Sequence, residues 1–98
     1  MHINVHRTAT GVIIAACDKK LIGKVLKDGD VELDLKMHAK FYGEPGTIKE
    51  LTRLLEGDFD SVNLVGEKAV SVAIKTGIVG QKDVKHIKNI PYLQIYSI

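Results

Sequence analysis

The residues whose types and spacing suggest chemistry lie between Asp60 and Gly77. If a strand ends at Gly66 and a helix begins at Glu67, the first helical turn offers free backbone N–H groups to an anion, because helix N-termini carry unpaired donors and partial positive charge. If the whole segment is one helix, those groups are used inside the helix and the anion site does not exist. The two interpretations lead to different functions.

The hydrophobic pattern favours one continuous helix over Ser61–Thr76. Asp60 would be its N-cap and Gly77 the left-handed residue that follows its last turn. Because Val62-Asn63-Leu64-Val65 suits a strand as well as a helix, the alternative with a strand stays open. Helical spacing places on one face the residues Val62, Val65, Gly66, Ala69, Val72, Ala73 and Thr76.

A polar cluster is predicted beside this helix. Asn63 and Glu67 would lie one turn apart and hydrogen-bond each other. If the Tyr42–Glu44 loop packs over that flank, Tyr42 and Glu44 complete the cluster. Such a cluster either fixes the loop to the helix or forms a ligand site.

A second candidate surface is the last hairpin, predicted to pair Val84–Lys88 with Tyr92–Ile98 around a three-residue loop. In that register Lys88 lies opposite Tyr92. Positive charge beside aromatic rings is typical of proteins that follow an RNA backbone, although lysine stems on tyrosine rings also suit a solvated sheet face. The candidate RNA-binding residues are Lys82, Lys85, His86, Lys88, Tyr92 and Tyr96.

Other chemistries have weaker support. Among four histidines, His2 and His6 share a strand face but lie about 13 Å apart, too far to hold one ion. Cys17, the single cysteine, ends an apolar stretch, where a thiol is more often inert than nucleophilic. We therefore predict no metal, no cofactor and no catalytic residue.

The composition is that of one ordinary globular domain spanning residues 1–98. Hydrophobic residues make up 45% and charged residues 27% of the chain, and its net charge is +2. The longest apolar run, Val12–Cys17, is too short to span a bilayer, and Met1–Asn4 does not resemble a signal peptide. We expect a cytoplasmic protein without a membrane partner. The sequence does not indicate whether the protein is a monomer or an oligomer.

The fold predicted from these elements is α+β, with antiparallel β hairpins and two main helices packed on the sheet. Besides the last hairpin, alternation predicts a hairpin of His2–Arg7 with Val12–Cys17. A second hairpin joins Lys24–Lys27 to Val31–Leu35 around Asp28-Gly29. Asp18 is predicted to cap a short helical turn that Gly23 closes.

The first main helix is predicted over Thr47–Glu56, and Ser61–Thr76 is the second. Thr47 and Glu50 have the spacing of a capping box, and Gly57 ends this first helix. The residues expected to form its buried stripe are Ile48, Leu51, Leu54 and Leu55.

Several motifs resemble a small archaeal family known as "domain of unknown function 424". They are Ala15–Asp18, Leu21–Lys24, Phe41–Gly43, Asn63–Val70, and Pro91 before the last strand. The resemblance implies an archaeal cytoplasm and an association with translation and ribosome assembly. It transfers no catalytic residue, because the family is defined without an activity.

Three functions follow as hypotheses. The first is a non-catalytic module that binds ribosomal RNA or a ribosome-associated protein through the last hairpin. The second is a protein–protein adaptor that uses an exposed strand edge or Phe41-Tyr42. The third is a small enzyme or ligand binder that uses the predicted polar cluster.

Overall fold

The computed structural model describes residues 1–96 and contains eight strands and two α-helices within them. The strands are β1 His2–Thr8, β2 Gly11–Cys17, β3 Val25–Asp28, β4 Val31–Asp34, β5 Glu44–Pro45, β6 Ser61–Val65, β7 Lys85–Ile87 and β8 Ile90–Tyr96. The helices are α1 Ile48–Glu56 and α2 Glu67–Thr76, and short 3-10 turns cover Lys19–Leu21, Ala39–Tyr42 and Gln81–Asp83. The predicted α+β class is confirmed.

Six strands form one sheet in the order β5-β1-β2-β6-β8-β7. The β2–β6 pair is parallel, whereas the other neighbours in this sheet are antiparallel. β3 and β4 form a separate two-stranded sheet. The parallel pair places the carboxyl ends of β2 and β6 side by side at one edge of the molecule.

The sheet is buried on both faces, which produces three layers. Alternate residues of β2 show this, because Ile14 and Ala16 pack in the cluster with α1 and α2, whereas Ala15 and Cys17 pack in the other cluster. That second cluster contains Leu35, Tyr42 and hydrophobic residues of β3 and β4. The two helices therefore cover one face, and the β3–β4 hairpin with the Ala39–Tyr42 turn covers the other.

The first two hairpins form where the alternation predicts them. β1 pairs with β2 from His2 opposite Cys17 to Thr8 opposite Gly11. In the second hairpin Asp28 is the last residue of β3, so the turn consists of Gly29 and Asp30 rather than Asp28 and Gly29. Gly29 has a φ of 60°, which only glycine adopts at little cost.

α1 also forms as predicted, with a different use of its cap. The Thr47 hydroxyl accepts a bond from the Glu50 N–H at 3.1 Å and donates one to the Glu50 carboxylate at 3.3 Å. Leu51 and Leu55 are buried in the core, as expected for the stripe. Ile48 is 53% exposed, so the buried stripe begins one turn later than the pattern indicates.

The prediction of one helix over Ser61–Thr76 is wrong. Residues Ser61–Val65 form the central strand β6, and the helix begins at Glu67. Asp60 is not a helix cap, because its carboxylate accepts from the Val12 N–H at 2.7 Å and its own N–H donates to the Val12 carbonyl. The alternative with a strand is correct.

The error has a physical cause in the position of β6. Val62 and Leu64 face the helices, while Val65 faces the opposite cluster. A strand buried on both faces lacks the polar alternation that identifies a strand in the sequence. Its apolar residues then matched helical spacing by coincidence.

The junction between β6 and α2 is held by Asp18. Its Oδ2 accepts from the Lys68 N–H at 3.0 Å and its Oδ1 from the Ala69 N–H at 2.9 Å. Asp18 precedes the Lys19–Leu21 turn as predicted, but its side chain makes no capping bond there. It instead caps α2, which lies 50 residues further along the chain.

Gly66 makes this approach possible. Its φ is 108°, and a Cβ placed on it would lie 2.3 Å from the Asp18 Cγ. Its N–H donates to the Pro91 carbonyl at 2.8 Å, which joins the junction to β8. A side chain at position 66 would therefore separate β2, α2 and β8.

The predicted register of the last hairpin is wrong, because the loop has two residues. Lys88 and Asn89 have φ values of 48° and 64°, as a tight I′ turn requires. Lys85 consequently lies opposite Tyr92, and His86 lies opposite Pro91. The predicted end of the strand, residues 97–98, lies outside the described residues.

Pro91 explains why the turn was misplaced. A proline is usually taken as a sign of a loop, since it lacks the N–H that a strand ladder needs. Here the Pro91 carbonyl faces Gly66, past the end of β6, and its nitrogen faces the same way. No ladder bond is lost, so proline is accommodated inside β8.

Alanine substitution at two glycines tests the junction. We expect Gly66→Ala to lower the free energy of unfolding by more than about 3 kcal/mol, because it adds a clash with the buried Asp18 side chain to an unfavourable φ. Gly77→Ala is the matched control, since Gly77 has a φ of 80° but nothing within 4 Å of its added Cβ. This control should lose only about 1 kcal/mol in urea denaturation. Equal losses for the two variants would contradict the proposed crowding.

Candidate functional site

The carboxyl ends of β2 and β6 form the first candidate site. In open sheets, ligands bind beside the carboxyl ends of parallel strands, where the chain leaves in different directions. Here β2 continues into the Lys19–Leu21 turn, and β6 continues through Gly66 into α2. The anion site considered from the sequence would lie at this place.

Asp18 occupies that anion site. Its side chain is 3% exposed, and its two oxygens take the N–H groups of Lys68 and Ala69. An external anion cannot use these donors while the carboxylate is in place. The N-terminus of α2 therefore has a structural role, which joins the end of β2 to the start of the helix.

A cleft of about 460 Å³ lies around this junction and is rich in lysine. The ammonium groups of Lys19, Lys20 and Lys68 belong to exposed residues, and the exposed carboxylate of Glu67 offsets part of their charge. We name this surface the lysine cleft. Its lining residues are Met1, Asp18, Lys19, Lys20, Glu67 and Lys68.

Sequence reasoning missed the lysine cleft as a unit. Two of its lysines follow Asp18 directly, and the third follows Glu67. The sequence pattern that could have revealed it is a pair of charged residues just after each of two strands. Such pairs lie together if the two strands are parallel neighbours, because their carboxyl ends are then at the same end of the sheet. That signal was lost when Ser61–Val65 was assigned to a helix.

The residues predicted to bind RNA do not lie on one continuous surface. Tyr92 is 8% exposed and packs in the cluster with Tyr42, so its ring is covered by protein. Tyr96 is 67% exposed. Lys82 lies on the Gln81–Asp83 turn, before β7 begins.

The remaining three candidates are exposed on or next to β7. Lys85 is paired with Tyr92 and therefore shares its sheet face, whereas His86 points toward α2 and lines a cleft with Glu67 and Ser71. Lys88 lies in the turn at the end of the sheet that carries the lysine cleft, because the nearby Pro91 bonds to Gly66. Lys88 thus extends the positive charge of this end.

The predicted polar cluster forms only in part. The Tyr42 hydroxyl donates to the Asn63 Oδ1 at 2.9 Å, and burial raises the pKa of Tyr42 above its usual range. Glu44 lies on β5, where it pairs with Ile3 of β1, and Glu67 lines the lysine cleft, so these two carboxylates lie outside the cluster. The predicted bond between Asn63 and Glu67 is wrong, because a strand ends between them.

The Tyr42–Asn63 pair lies at the base of a second cleft, of about 520 Å³. Asn63 is paired with Gln94 across β6 and β8, so two carboxamides lie side by side. We name this surface the β4 cleft, because its wall runs along β4. Its lining residues are Glu32, Leu33, Asp34, Leu35, Met37, His38, Phe41, Tyr42, Asn63 and Gln94.

His6 and Cys17 have structural surroundings. The His6 Nε2 lies 2.7 Å from the Phe41 carbonyl, and its ring stacks on Phe41 with centroids 4.5 Å apart. Among residues 1–96 no group of three or more His, Cys, Asp or Glu side chains could hold a metal ion. Cys17 is fully buried, and burial, followed by the Asp18 charge, raises its pKa to about 12.

Comparisons with known proteins support the same fold. A family model described as "Protein of unknown function (DUF424)" matches residues 6–98. The chain is also similar to a crystal structure of an uncharacterized conserved protein from Methanopyrus kandleri, with 24% identity and a TM-score of 0.79, covering 99% of this chain and 90% of that chain. The comparison with curated proteins found no match. No helix in the described part of the chain could span a membrane.

Replacement of Asp18 tests its role as an internal ligand. We expect Asp18→Ala to lower the free energy of unfolding by about 2–3 kcal/mol, because two buried N–H groups lose a charged acceptor. Asp18→Asn keeps one acceptor oxygen and should lose less. Chemical denaturation followed by circular dichroism measures both values. An Asp18→Ala variant as stable as the parent protein would contradict this role.

The Cys17 thiol provides a pH test. Its pKa in the folded protein, about 12, exceeds the ordinary thiol pKa of 9.0, so the unfolded state loses the proton first. This component of stability is complete below about pH 9 and decreases as pH rises toward 12. We expect the Cys17→Ala variant to lose less stability than the parent protein between pH 8.5 and about 10.5 in thermal unfolding. Identical losses in the two proteins would contradict the raised pKa.

Proposed function

Because this chain belongs to the family described as "Protein of unknown function (DUF424)", as its motifs indicated, we propose a function from its surface chemistry. We infer a non-catalytic module that binds the phosphate backbone of RNA, such as ribosomal RNA, in a ribonucleoprotein of the archaeal cytoplasm. The observation that carries the proposal is the lysine cleft. Three lysines from two distant segments line one depression at one end of the sheet.

The contacts around the lysine cleft favour a polyanion over a single bound phosphate. The helix donors that would hold one phosphate are already bonded to Asp18. Beside the exposed Glu67 carboxylate, the cleft presents to a ligand three exposed ammonium groups, at Lys19, Lys20 and Lys68. Such groups bind phosphates as point charges and tolerate many backbone geometries.

The last hairpin adds to this surface. Lys88 lies at the same end of the sheet, and Lys85 is exposed three residues before it. This arrangement supports a basic strip that runs from the lysine cleft to β7, longer than the hairpin surface predicted from the sequence. The buried ring of Tyr92 leaves Tyr96 as the exposed aromatic residue of that original set.

The proposal predicts backbone contact rather than base reading. Lysine lacks the planar fork with which arginine recognises a guanine edge, and Arg7 and Arg53 are the only arginines in the chain. Arg7 lies on β1 and Arg53 on α1, outside the lysine cleft. Affinity should therefore depend strongly on salt and weakly on RNA sequence.

Fluorescence anisotropy with a labelled single-stranded RNA of mixed sequence tests this proposal. We expect Lys19→Ala/Lys20→Ala to weaken binding about tenfold, and the slope of log affinity against log salt to fall by about 1.4, because two phosphate contacts are lost. Lys85→Glu/Lys88→Glu, which reverses the charge of the last hairpin, should weaken binding further.

The matched control is Arg53→Ala/Lys75→Ala, which removes the same charge from exposed positions on α1 and α2. Its affinity should stay within about twofold of the parent protein, because these positions lie away from the basic strip. Equal losses in the control and in Lys19→Ala/Lys20→Ala would indicate nonspecific attraction. Binding that does not respond to salt would contradict the electrostatic mechanism.

A further inference from the structure

Within residues 1–96, one edge of β4 is not paired with another strand. Its partner is β3, and the Leu35 N–H donates to the Lys24 carbonyl at 2.8 Å at the base of the hairpin. Because antiparallel pairs alternate, the main-chain groups of Asp34 and Glu32 then point away from β3. The Asp34 carbonyl on this edge already accepts from the His38 N–H at 3.2 Å. The N–H groups of both residues and the Glu32 carbonyl remain available on this edge.

This open edge borders the β4 cleft. The cleft has a volume of about 520 Å³ and lies between β4 and the segment that contains Met37 and Phe41. Asn63 and Gln94 form its polar base, beneath the open edge. A strand edge beside a groove of this kind is the arrangement in which a domain accepts an extended peptide as an additional strand.

The charge of the cleft selects the kind of peptide. Glu32 and Asp34 alternate with Leu33 and Leu35, which pack in the core cluster, so their two carboxylates lie on the outer side of β4 along the open edge, although one Asp34 oxygen also accepts from the N–H groups of Lys36 and Met37. Lys27 lies opposite Glu32 and offsets part of that charge. These acids disfavour a phosphate backbone and favour a cationic side chain.

The pair of carboxylates favours arginine over lysine. Neighbouring carboxylates accept the several donors of a planar guanidinium group, whereas lysine offers a single ammonium group. Phe41 lines the cleft, and Met37 at its rim is 75% exposed. Such a flexible apolar residue adapts to the stem of a bound side chain.

We propose that the β4 cleft binds an extended, arginine-containing peptide segment of a protein partner as a strand added to β4. Main-chain bonds to the open edge supply affinity, and the Glu32 carboxylate, which lies on the same side as the residue of the added strand opposite it, selects the arginine. β4 has four residues, so the paired segment is about four residues long, or about 13 Å. The site lies on the sheet face opposite the helices and is independent of RNA binding at the lysine cleft.

Fluorescence polarisation with three synthetic peptides tests this inference. The first alternates arginine with valine, the second alternates glutamate with valine, and the third is the first with a central proline. We expect the first to bind at least about tenfold more tightly than the other two, because the second reverses the charge and the third cannot complete the strand pairing. Equal binding of the first and third peptides would overturn the strand-addition geometry.

Substitution at Glu32 locates the site. Glu32→Lys should weaken binding of the arginine peptide at least about fivefold, because it places a like charge along the open edge. Glu56→Lys is the control, since Glu56 is an equally exposed acid on α1, at the opposite face of the sheet. Amide exchange measured by NMR should slow at Glu32 when the peptide is present. An unchanged affinity in Glu32→Lys, or unchanged exchange at that amide, would overturn the proposal.

Discussion

The contact between the Asp18 carboxylate and the first turn of α2 is the constraint on which the rest of the structure depends. One buried side chain supplies the charge that the helix N-terminus requires, and it also joins the end of β2 to the end of β6. Because the contact needs Gly66 without a side chain, it fixes the turn that directs α2 back across the sheet. The lysine cleft is a consequence of this junction, since its lysines adjoin the groups that form it.

The sequence predicts those parts of the fold whose signals are local. The β1–β2 hairpin alternates in polarity, Thr47 begins α1 with a side-chain cap, and Gly77 ends α2 in the left-handed conformation. β6 could not be recognised in this way, because a strand buried on both faces carries no alternation. Its identity depends on β2 and β8, which flank it and lie far away in the sequence. The register of the last hairpin was predicted wrongly for a related reason. Whether β8 can contain Pro91 depends on the contact of Pro91 with Gly66, which the local sequence does not show.

The candidate sites also differ in how far they depend on local sequence and how far on distant segments. Tyr42 and Asn63 meet, as expected if the Tyr42–Glu44 loop packs beside Asn63, although Asn63 lies on β6 and not on a helix. Glu44 and Glu67 were assigned to that cluster through a helix that does not exist. The lysine cleft and the β4 cleft are assembled from segments brought together by the sheet order, so single-sequence patterns do not contain them. The two clefts also differ in charge, since one is lined by three lysines and two acidic residues and the other is bordered by Glu32 and Asp34.

The central position of β6 has a consequence for how the chain folds while it is being synthesised. β2 and β6 are neighbours in the sheet although 43 intervening residues, 18–60, separate them along the chain, so β2 has no inner partner until most of the protein has left the ribosome. During that interval Ile14–Cys17 forms an open apolar edge, the kind of surface on which nascent chains associate. Closing this edge requires a long chain loop, which slows folding relative to the local hairpins. β6 covers this edge of β2 only after it has been synthesised, and the other edge of β6 is covered later still, by β8.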